Sequence, residues 1–175
     1  MAEALDPAIP AAVDELAKFV LREACDRRLR LAAAESCTGG LLASLLTDIP
    51  GQSHAFERGF VTYTDEAKHE MLGVPRTILE ADGAVSEAAA RAMAEGALAR
   101  SHADVAVSVT GFAEGKPGEP AGLVHFASAR TGRPTRHLVR RFGDIGRAAV
   151  RLAALEVSLG LLRDQLTGAT EADAA

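Results

Sequence analysis

A serine, a cysteine and a threonine follow a short apolar run in this sequence, and two glycines come directly after them. Residues 31–40 read LAAAESCTGG. Gly39 and Gly40 remove side-chain bulk from the turn and the first helical residues, so backbone N–H groups can approach a ligand where the helix dipole favours negative charge. Ser36 is the leading candidate for a nucleophile. The structural alternative is that Ser36 or Thr38 caps the following helix.

A serine hydroxyl is a weak nucleophile at neutral pH until a base takes its proton. Lys68 is the better candidate for that base, because it lies one helical turn into a segment that follows a strand end at Tyr63. Burial or a nearby cation would have to lower its pKa from the usual value of about 10.4. The alternative is a solvated helix lysine. None of the histidines sits in a convincing catalytic motif; they are His54, His69, His102, His125 and His137.

Two further polar residues stand near predicted strand ends. Tyr63 is the only tyrosine of the chain, and its phenol can hydrogen-bond the base or a substrate carbonyl; alternatively it is a strand residue with a solvated tip. Thr110 and Gly111 come directly after the predicted strand 105–109, where ligands collect in such sheets. We expect Thr110 to orient Ser36 or Lys68, and a role in the turn alone is the alternative.

The backbone between the serine and the helix is expected to hold a substrate oxygen. A tetrahedral intermediate carries a negative oxygen, and N–H groups from Cys37, Thr38, Gly39 and Gly40 are placed to stabilise it. The side chain of Cys37 has two interpretations, a small residue buried under the turn or a thiol nucleophile. No Cys or His spacing is typical of a metal site, and we predict none.

Several motifs occur in an order that resembles one known family, the CinA C-terminal domain family, whose characterised members are nicotinamide-nucleotide amidases. The likeness covers most of residues 12–165. The motifs are AESCTGG at 34–40, RGFVTY at 58–63, EAK at 66–68, MLGV at 71–74, GAVSE at 83–87 and VTG at 109–111. The resemblance implies a three-layer fold, a homodimer and the general-base role for Lys68.

The function that the resemblance implies is deamidation of nicotinamide mononucleotide to nicotinate mononucleotide and ammonia, as in pyridine nucleotide salvage. Ser36 would attack the carboxamide, and Lys68 would carry the proton without any metal or organic cofactor. Two alternatives stay open: a non-catalytic nucleotide-binding or scaffold homologue, and a Ser/Lys amidase that acts on a different small amide.

The chain departs from the family pattern in two places. Residues 111–122, GFAEGKPGEPAG, are shorter than the usual glycine-rich stretch, and Glu114 stands near an expected glycine. This segment is no P-loop, because Pro117 occupies the position of the magnesium-binding Ser or Thr. Arg147 resembles the arginine of a Gly-Asp-Arg element with an insertion, and it is suited to bind the substrate phosphate. Its alternative is an ion pair with Asp144.

The pattern of apolar residues predicts helices that alternate with strands, and a hairpin near the end. These elements form a three-layer α/β/α sandwich with a mixed sheet that includes a C-terminal antiparallel hairpin. Predicted helices cover residues 11–27, 39–47, 65–73, 86–100 and 146–166, with Asp65 and Ser86 as caps, and residues 75–79 form a turn or short helix. Predicted strands cover residues 29–34, 56–62, 105–109, 123–128 and 135–142.

The composition and net charge of the chain limit which kinds of molecule it is expected to bind. The 175 residues carry a net charge of -5 and are 48% hydrophobic, which is typical of one compact domain and gives no basic surface for nucleic acid or membrane. We expect a small mononucleotide as partner, a single domain over residues 1–166 and a flexible tail over 167–175. With two cysteines and no leader pattern, the expected location is the cytoplasm. Alanine-rich residues 88–97 allow close packing, in a dimer or within the chain.

Overall fold

A five-stranded sheet in the order β2-β1-β3-β4-β5 forms the centre of the molecule. The computed structural model describes residues 9–168. The strands are β1 (Leu31–Glu35), β2 (Phe56–Val61), β3 (Val105–Gly111), β4 (Leu123–Arg130) and β5 (Arg133–Arg141). The helices are α1 (Ala11–Asp26), α2 (Leu41–Thr47), α3 (Asp65–Leu72), α4 (Arg76–Ala81), α5 (Glu87–Ala99) and α6 (Arg147–Thr167).

The sheet is mixed, and its parallel part determines where the site lies. Strand β1 pairs in parallel with both β2 and β3, so that Glu35 is in register with Val61 and Val109. Strands β3, β4 and β5 are antiparallel, which confirms the predicted hairpin. Because β1, β2 and β3 run in the same direction, the residues that follow them meet at one edge of the sheet.

Helices cover both faces of the sheet, which confirms the three-layer prediction. On one face, helices α1, α2 and α6 bury apolar residues such as Leu21 and Leu162 against β3 and β4. On the other face, α3 and α5 pack against alanines of β1 and β3. The interior residues of β1 are alanines that are fully buried, and their small side chains let both helical layers approach closely.

Helix α5 uses its small residues within the chain. Four of its alanines are buried, and Ala90 and Ala94 contact Ala127 and Ala129 of β4. A Cβ built on Gly96 would lie 2.0 Å from the carbonyl oxygen of Leu72, so α5 and α3 pack at a distance that only glycine permits. Intramolecular packing therefore accounts for much of this composition.

Three predicted boundaries near the site are corrected. Helix α2 begins at Leu41 rather than at residue 39, because Gly39 and Gly40 have φ angles of 61° and 97°. The cap of α3 is Thr64, whose side chain accepts the N–H of Ala67 at 3.1 Å, and Asp65 lies in the first turn. Strand β3 extends through residues 110 and 111, so Thr110 lies inside the strand instead of after it.

The end of the chain is described only in part. Helix α6 includes Thr167 and ends at Gly168 in the left-handed region, so Thr167 is helical rather than part of a tail. The rest of the predicted flexible tail, residues 169–175, lies outside the described residues. Within residues 9–168, none of the helices combines the length and the apolar character that crossing a membrane requires.

Candidate active site

The ends of three parallel strands bring the candidate residues together. Ser36 follows β1 directly, and its N–H donates to the carbonyl of Val109 at 3.0 Å. Thr62 follows β2, and its N–H donates to the carbonyl of Glu35 at 2.8 Å. These bonds continue the parallel pairing for one residue beyond the strands. They hold the backbone of Ser36 at the sheet edge, between β2 and β3.

Lys68 contacts the hydroxyl of Ser36. The Nζ atom lies 3.0 Å from Ser36 Oγ, 3.0 Å from the carbonyl oxygen of Thr62 and 3.3 Å from that of Tyr63. The Lys68 side chain is buried, with 1% of the residue exposed, and Ser36 is 7% exposed. The Thr64 cap starts α3 immediately after the β2 end, which places Lys68 in the first turn of this helix.

The surroundings of Lys68 favour its neutral form. Burial lowers the pKa of its ammonium group, and the weaker influences of Asp65 and Cys37 oppose this shift. A neutral amine has two N–H groups and one lone pair. When the two N–H groups donate to the carbonyls of Thr62 and Tyr63, the lone pair is left for the Ser36 hydroxyl. This is the arrangement that a general base for a serine nucleophile needs.

The side-chain carboxylate of Glu35, the last residue of β1, caps the start of α2. Its carboxylate accepts the Thr38 hydroxyl at 2.6 Å and the N–H groups of Gly40, Leu42 and Ala43 at 3.0, 3.1 and 2.8 Å. The residue is 1% exposed. Sequence reasoning gave it no role, although a carboxylate before a helix start is a recognisable capping signal.

The sequence predicts an oxyanion hole around residues 37–40, and the structure shows which of these N–H groups already have partners. Gly39 N–H donates to the carbonyl of Ser36 at 3.1 Å, and Gly40 N–H donates to Glu35. The Thr38 side chain is fully buried against Glu35 instead of lining a site. In the described part of the chain, the N–H groups of Cys37 and Thr38 are the ones in this turn without a bond to another residue.

A cleft of about 470 Å³ opens above Ser36. Seven predicted residues line it: Ser36, Cys37, Tyr63, Lys68, Thr110, Gly111 and Arg147. Three predicted residues do not, namely Thr38, Gly39 and Gly40. Seven further residues line the cleft, of which Phe112 and Glu114 belong to the segment expected to form a pocket wall of altered shape and charge: Ala84, Val85, Phe112, Ala113, Glu114, Lys116 and Glu119. All but Ala84 and Val85 belong to the segment in which the sequence departs from the family pattern.

That segment forms a tight turn at the rim of the cleft. Lys116 and Glu119 exchange backbone hydrogen bonds of 3.1 and 2.8 Å. Pro117 and Gly118 lie between them, and Gly118 has a φ of 82°, which is typical of a type II turn. The turn brings the charged residues Glu114, Lys116 and Glu119 to the cleft.

Tyr63 and Arg147 face each other at the mouth. Tyr63 is 64% exposed, and its backbone carbonyl, rather than its phenol, contacts Lys68. The proximity of the Tyr63 phenol raises the pKa of the Arg147 guanidinium, with a smaller contribution from Glu114. Arg147 is the first residue of α6, so its charge stands at the rim beside the cleft.

Thr110 does not orient Ser36 or Lys68 with its hydroxyl hydrogen. Its Oγ1 donates to the carbonyl of Ala84 at 2.8 Å and thereby connects β3 to the loop before α5. The hydroxyl therefore has the role in the loop that was the alternative, and its hydrogen is not directed to Ser36 or Lys68. Thr110 still lines the cleft together with Ala84.

Cys37 is a buried thiol. Burial raises the pKa of its thiol to about 11, so the residue is protonated at neutral pH and is a poor nucleophile. Arg151, which sequence reasoning missed, donates from Nη2 to the carbonyl of Thr38 at 2.9 Å, so it holds the same turn. No group of three His, Cys, Asp or Glu side chains in residues 9–168 could hold a metal ion.

Two histidines that are distant in sequence meet beside the cleft. His125 Nδ1 lies 3.0 Å from His137 Nε2, and Glu87 Oε2 lies 3.5 Å from His137 Nδ1. His125 is paired with Thr110 across β3 and β4. Burial lowers the pKa of both imidazoles, and the proximity of His137 lowers that of His125 further. Neither histidine lines the cleft.

Comparison with known sequences gives one family. The model of the family described as "CinA C-terminal domain" matches residues 13–166. A CinA-like protein of Akkermansia muciniphila is 54% identical over 124 residues, which are 69% of this chain and 30% of that protein. A CinA-like protein of Synechococcus sp. is 46% identical over 157 residues, 87% of this chain and 37% of that protein. The chain thus spans about a third of the length of these relatives.

Solved structures have the same fold. The competence/damage inducible protein CihA from Agrobacterium tumefaciens is 45% identical, with a TM-score of 0.86, and the match covers 91% of this chain and 98% of that one. The competence damage-inducible protein A (ComA) from Klebsiella pneumoniae is 37% identical, with a TM-score of 0.83 and coverage of 90% and 99%.

Proposed function

The chain belongs to the CinA C-terminal domain family, and from this premise we propose that it is an amidohydrolase that converts nicotinamide mononucleotide and water into nicotinate mononucleotide and ammonia. The observation that carries the proposal is the 3.0 Å contact between Lys68 Nζ and Ser36 Oγ at the floor of the cleft. A buried amine beside a serine hydroxyl is a nucleophile with its base.

The first half of the reaction forms an ester. Lys68 Nζ takes the proton of the Ser36 hydroxyl while Oγ bonds to the carboxamide carbon, and the π electrons of the carbonyl move to its oxygen. The tetrahedral intermediate then breaks its C–N bond. The leaving nitrogen takes the proton from the Lys68 ammonium and departs as ammonia, which leaves the acyl group on Ser36.

Water completes the second half. Lys68 takes a proton from a water molecule, whose oxygen bonds to the ester carbon. When this intermediate breaks its C–Oγ bond, Ser36 recovers its proton from Lys68 and the acid product is released. Lys68 thus moves one proton in each half, and a lowered pKa suits a group that must accept and return protons near neutral pH.

The substrate carbonyl oxygen becomes negative in the tetrahedral intermediate and needs hydrogen-bond donors to stabilise it. The N–H groups of Cys37 and Thr38 are uncommitted to other residues in the described part of the turn, and Cys37 lines the cleft. Because Thr38 does not line the cleft, we assign the oxyanion hole to the N–H group of Cys37. Loss of one such donor typically lowers kcat by about a hundredfold or more.

Charges at the rim suit the rest of the substrate. Arg147 and Lys116 are the cations that line the cleft beside the buried Lys68, and a guanidinium binds a phosphate with two parallel hydrogen bonds. Glu114 and Glu119 add negative charge, which complements the positive ring nitrogen of a nicotinamide nucleotide. A cleft of about 470 Å³ lies in the range of small-ligand sites, about 300–1,000 Å³.

Ammonia release tests the proposal directly. Purified wild type, Ser36→Ala and the exposed control Ser44→Ala are incubated with nicotinamide mononucleotide, and ammonia and nicotinate mononucleotide are quantified. Wild type and Ser44→Ala should form both products in equal amounts, and Ser36→Ala should form neither. Ammonia release by Ser36→Ala at the wild-type rate would eliminate the mechanism.

Two alternative functions, nucleotide binding without catalysis and hydrolysis of a different small amide, are distinguished by binding and turnover measurements. Glu114 and Glu119 suit the substrate where they face its positive ring nitrogen, whereas an acidic side chain directed at its phosphate would weaken binding of a mononucleotide. Calorimetric binding without ammonia release would identify a non-catalytic nucleotide-binding homologue. Turnover of other small amides, but not of the mononucleotide, would identify an amidase with a different substrate.

Two expectations about the cellular state of the protein stay predictions. Both described cysteines, Cys25 and Cys37, are free thiols, which suits a reducing cytoplasm. A homodimer is the expected assembly, and sedimentation velocity at micromolar concentration measures it.

A further inference from the structure

The carboxylate of Glu35 is the most completely bonded polar group next to the nucleophile. Its two oxygens accept four hydrogen bonds of 2.6 to 3.1 Å, from the Thr38 hydroxyl and from the N–H groups of Gly40, Leu42 and Ala43. The residue is 1% exposed and lies at the end of β1, directly before Ser36. None of these donors is a cation, so oriented dipoles alone balance the buried charge.

These bonds connect both ends of the nucleophile turn. The backbone of Glu35 is held in the sheet by β2 and β3, and its side chain reaches forward over Ser36 to the first turn of α2. The turn from Ser36 to Gly40 is therefore closed by a side chain that begins on one side of it and bonds on the other. Two left-handed glycines inside the turn would otherwise leave it free to move.

Occupation of the helix start also determines which donors are left for the reaction. The N–H groups at the beginning of α2 would otherwise be free to bind an anion, and Glu35 satisfies them. The N–H group of Cys37, which lines the cleft, then remains for a substrate oxygen. Glu35 itself does not line the cleft.

We propose that Glu35 is a positioning residue of the amidase reaction, which holds the turn so that Ser36 Oγ faces Lys68 while the N–H group of Cys37 faces the substrate oxygen. The proposal rests on the proposed function. It differs from a purely structural cap in what it predicts, because a cap supports folding alone, whereas a positioning residue supports the transition state more than substrate binding.

The test compares Glu35→Ala, Glu35→Gln and wild type. Displacement of catalytic groups by about 1 Å costs about a hundredfold in rate, so kcat of Glu35→Ala should fall by about that factor while KM stays within about threefold. Glu35→Gln keeps the shape and one accepting oxygen, which can face the three donors of Oε2, and loses the bond from Ala43 N–H. It should recover part of the activity.

A stability control separates the two roles. Gln165 is buried at a distance from the cleft, where its amide donates to Ser128 at 3.2 and 3.3 Å. Gln165→Ala should lower Tm and leave kcat unchanged. If the Glu35 variants lose activity only in proportion to Tm, or if KM rises while kcat stays constant, the positioning role is overturned. If Glu35→Ala does not fold, Glu35→Gln decides by the same criteria.

A second readout keeps this test apart from the test of the substrate. A fluorophosphonate labels an activated serine without any amide substrate, and mass spectrometry gives the rate of labelling at Ser36. Should wild type label at Ser36 but release no ammonia from the mononucleotide, the substrate assignment fails, and slower labelling of Glu35→Ala still supports positioning. Equal labelling rates would overturn it, and so would a wild type that is not labelled at Ser36.

Discussion

Replacement of Lys68 by methionine tests both the chemistry and the electrostatics of the site. Methionine has nearly the same length as lysine but carries no amine, so the variant loses the contacts of Nζ with Ser36 Oγ, Thr62 O and Tyr63 O. General-base catalysis contributes about 10²- to 10⁴-fold in rate. We expect kcat for ammonia release to fall by that factor or more.

The same variant should change how stability depends on pH. Burial lowers the pKa of Lys68 in the folded state, so above that pKa the unfolded chain binds more protons than the folded one. The free energy of unfolding should therefore rise with pH between the lowered pKa and about 10.4, by up to about 1.4 kcal/mol per pH unit. This contribution is fully present above the unfolded pKa and is lost as pH falls through the folded pKa.

Chemical denaturation at a series of pH values measures this difference. The slope of the free energy of unfolding against pH should be steeper in wild type than in Lys68→Met, by the equivalent of up to one bound proton. Lys18→Met serves as the control for activity. It should retain wild-type ammonia release, because the Lys18 side chain is 44% exposed on α1. Parallel stability curves for wild type and Lys68→Met would refute the argument that burial lowers the pKa of the Lys68 amine. Unchanged kcat in Lys68→Met would refute its role as base.

Three further predictions concern the cleft rim, the packing of α5 and the half-buried histidine pair. Arg147→Ala should raise KM for nicotinamide mononucleotide by about 10-fold or more, since a hydrogen bond to a charged group contributes about 1.5–3 kcal/mol, and should leave KM for the phosphate-free riboside unchanged in steady-state assays. Gly96→Ala should lower the free energy of unfolding in urea by about 1–3 kcal/mol or more, because its Cβ would lie 2.0 Å from Leu72 O. Burial lowers the pKa of His125 and His137, so stability should fall on acidification below about pH 6.5, and His125→Gln should reduce that slope in pH-dependent denaturation.

Two matched variants serve as controls for the predictions on Arg147 and Gly96. Arg140→Ala removes an exposed charge outside the cleft and should leave both KM values unchanged. Gly160→Ala lies inside α6 with no atom within 4 Å of the added Cβ, so it should gain up to about 1 kcal/mol from helix propensity. The prediction for Arg147 would be contradicted if KM rose equally for the mononucleotide and the riboside. The prediction for Gly96 would be contradicted if Gly96→Ala and Gly160→Ala were equally stable. The prediction for the histidines would be contradicted if His125→Gln left the pH dependence of stability in acid unchanged.

Much of the fold was predictable because it depends on local patterns. Apolar periodicity located α1 and α6, β-branched residues located β3, and the Gly and Pro near residue 132 located the β4–β5 hairpin. The Ser86 cap of α5 was also correct, since its Oγ accepts the N–H of Ala89 at 3.1 Å. These signals act over a few residues, so they survive without knowledge of the rest of the chain.

The boundaries that failed depend on backbone conformation rather than on composition. Gly39 and Gly40 were expected in the helix, but the helix starts only where Glu35 can reach its N–H groups. A threonine and an aspartate stand next to each other at the start of α3, and both residue types are good caps. The geometry selected Thr64 because its extended conformation directs the oxygen to Ala67 N–H.

The sequence predicted Ser36 and Lys68 as nucleophile and base, from a serine turn after an apolar strand and from the resemblance of residues 34–40 and 63–68 to one family. Only the tertiary structure brought these residues, 32 positions apart, within 3.0 Å. The tertiary structure also decided that the Thr110 hydroxyl donates to the Ala84 carbonyl and that the Glu35 carboxylate caps the start of α2. It placed the loop after β3 at the rim of the cleft. The reason is physical: a residue type states which bonds a side chain can make, and the parallel pairing of β1 with its two neighbours decides which partners lie within reach.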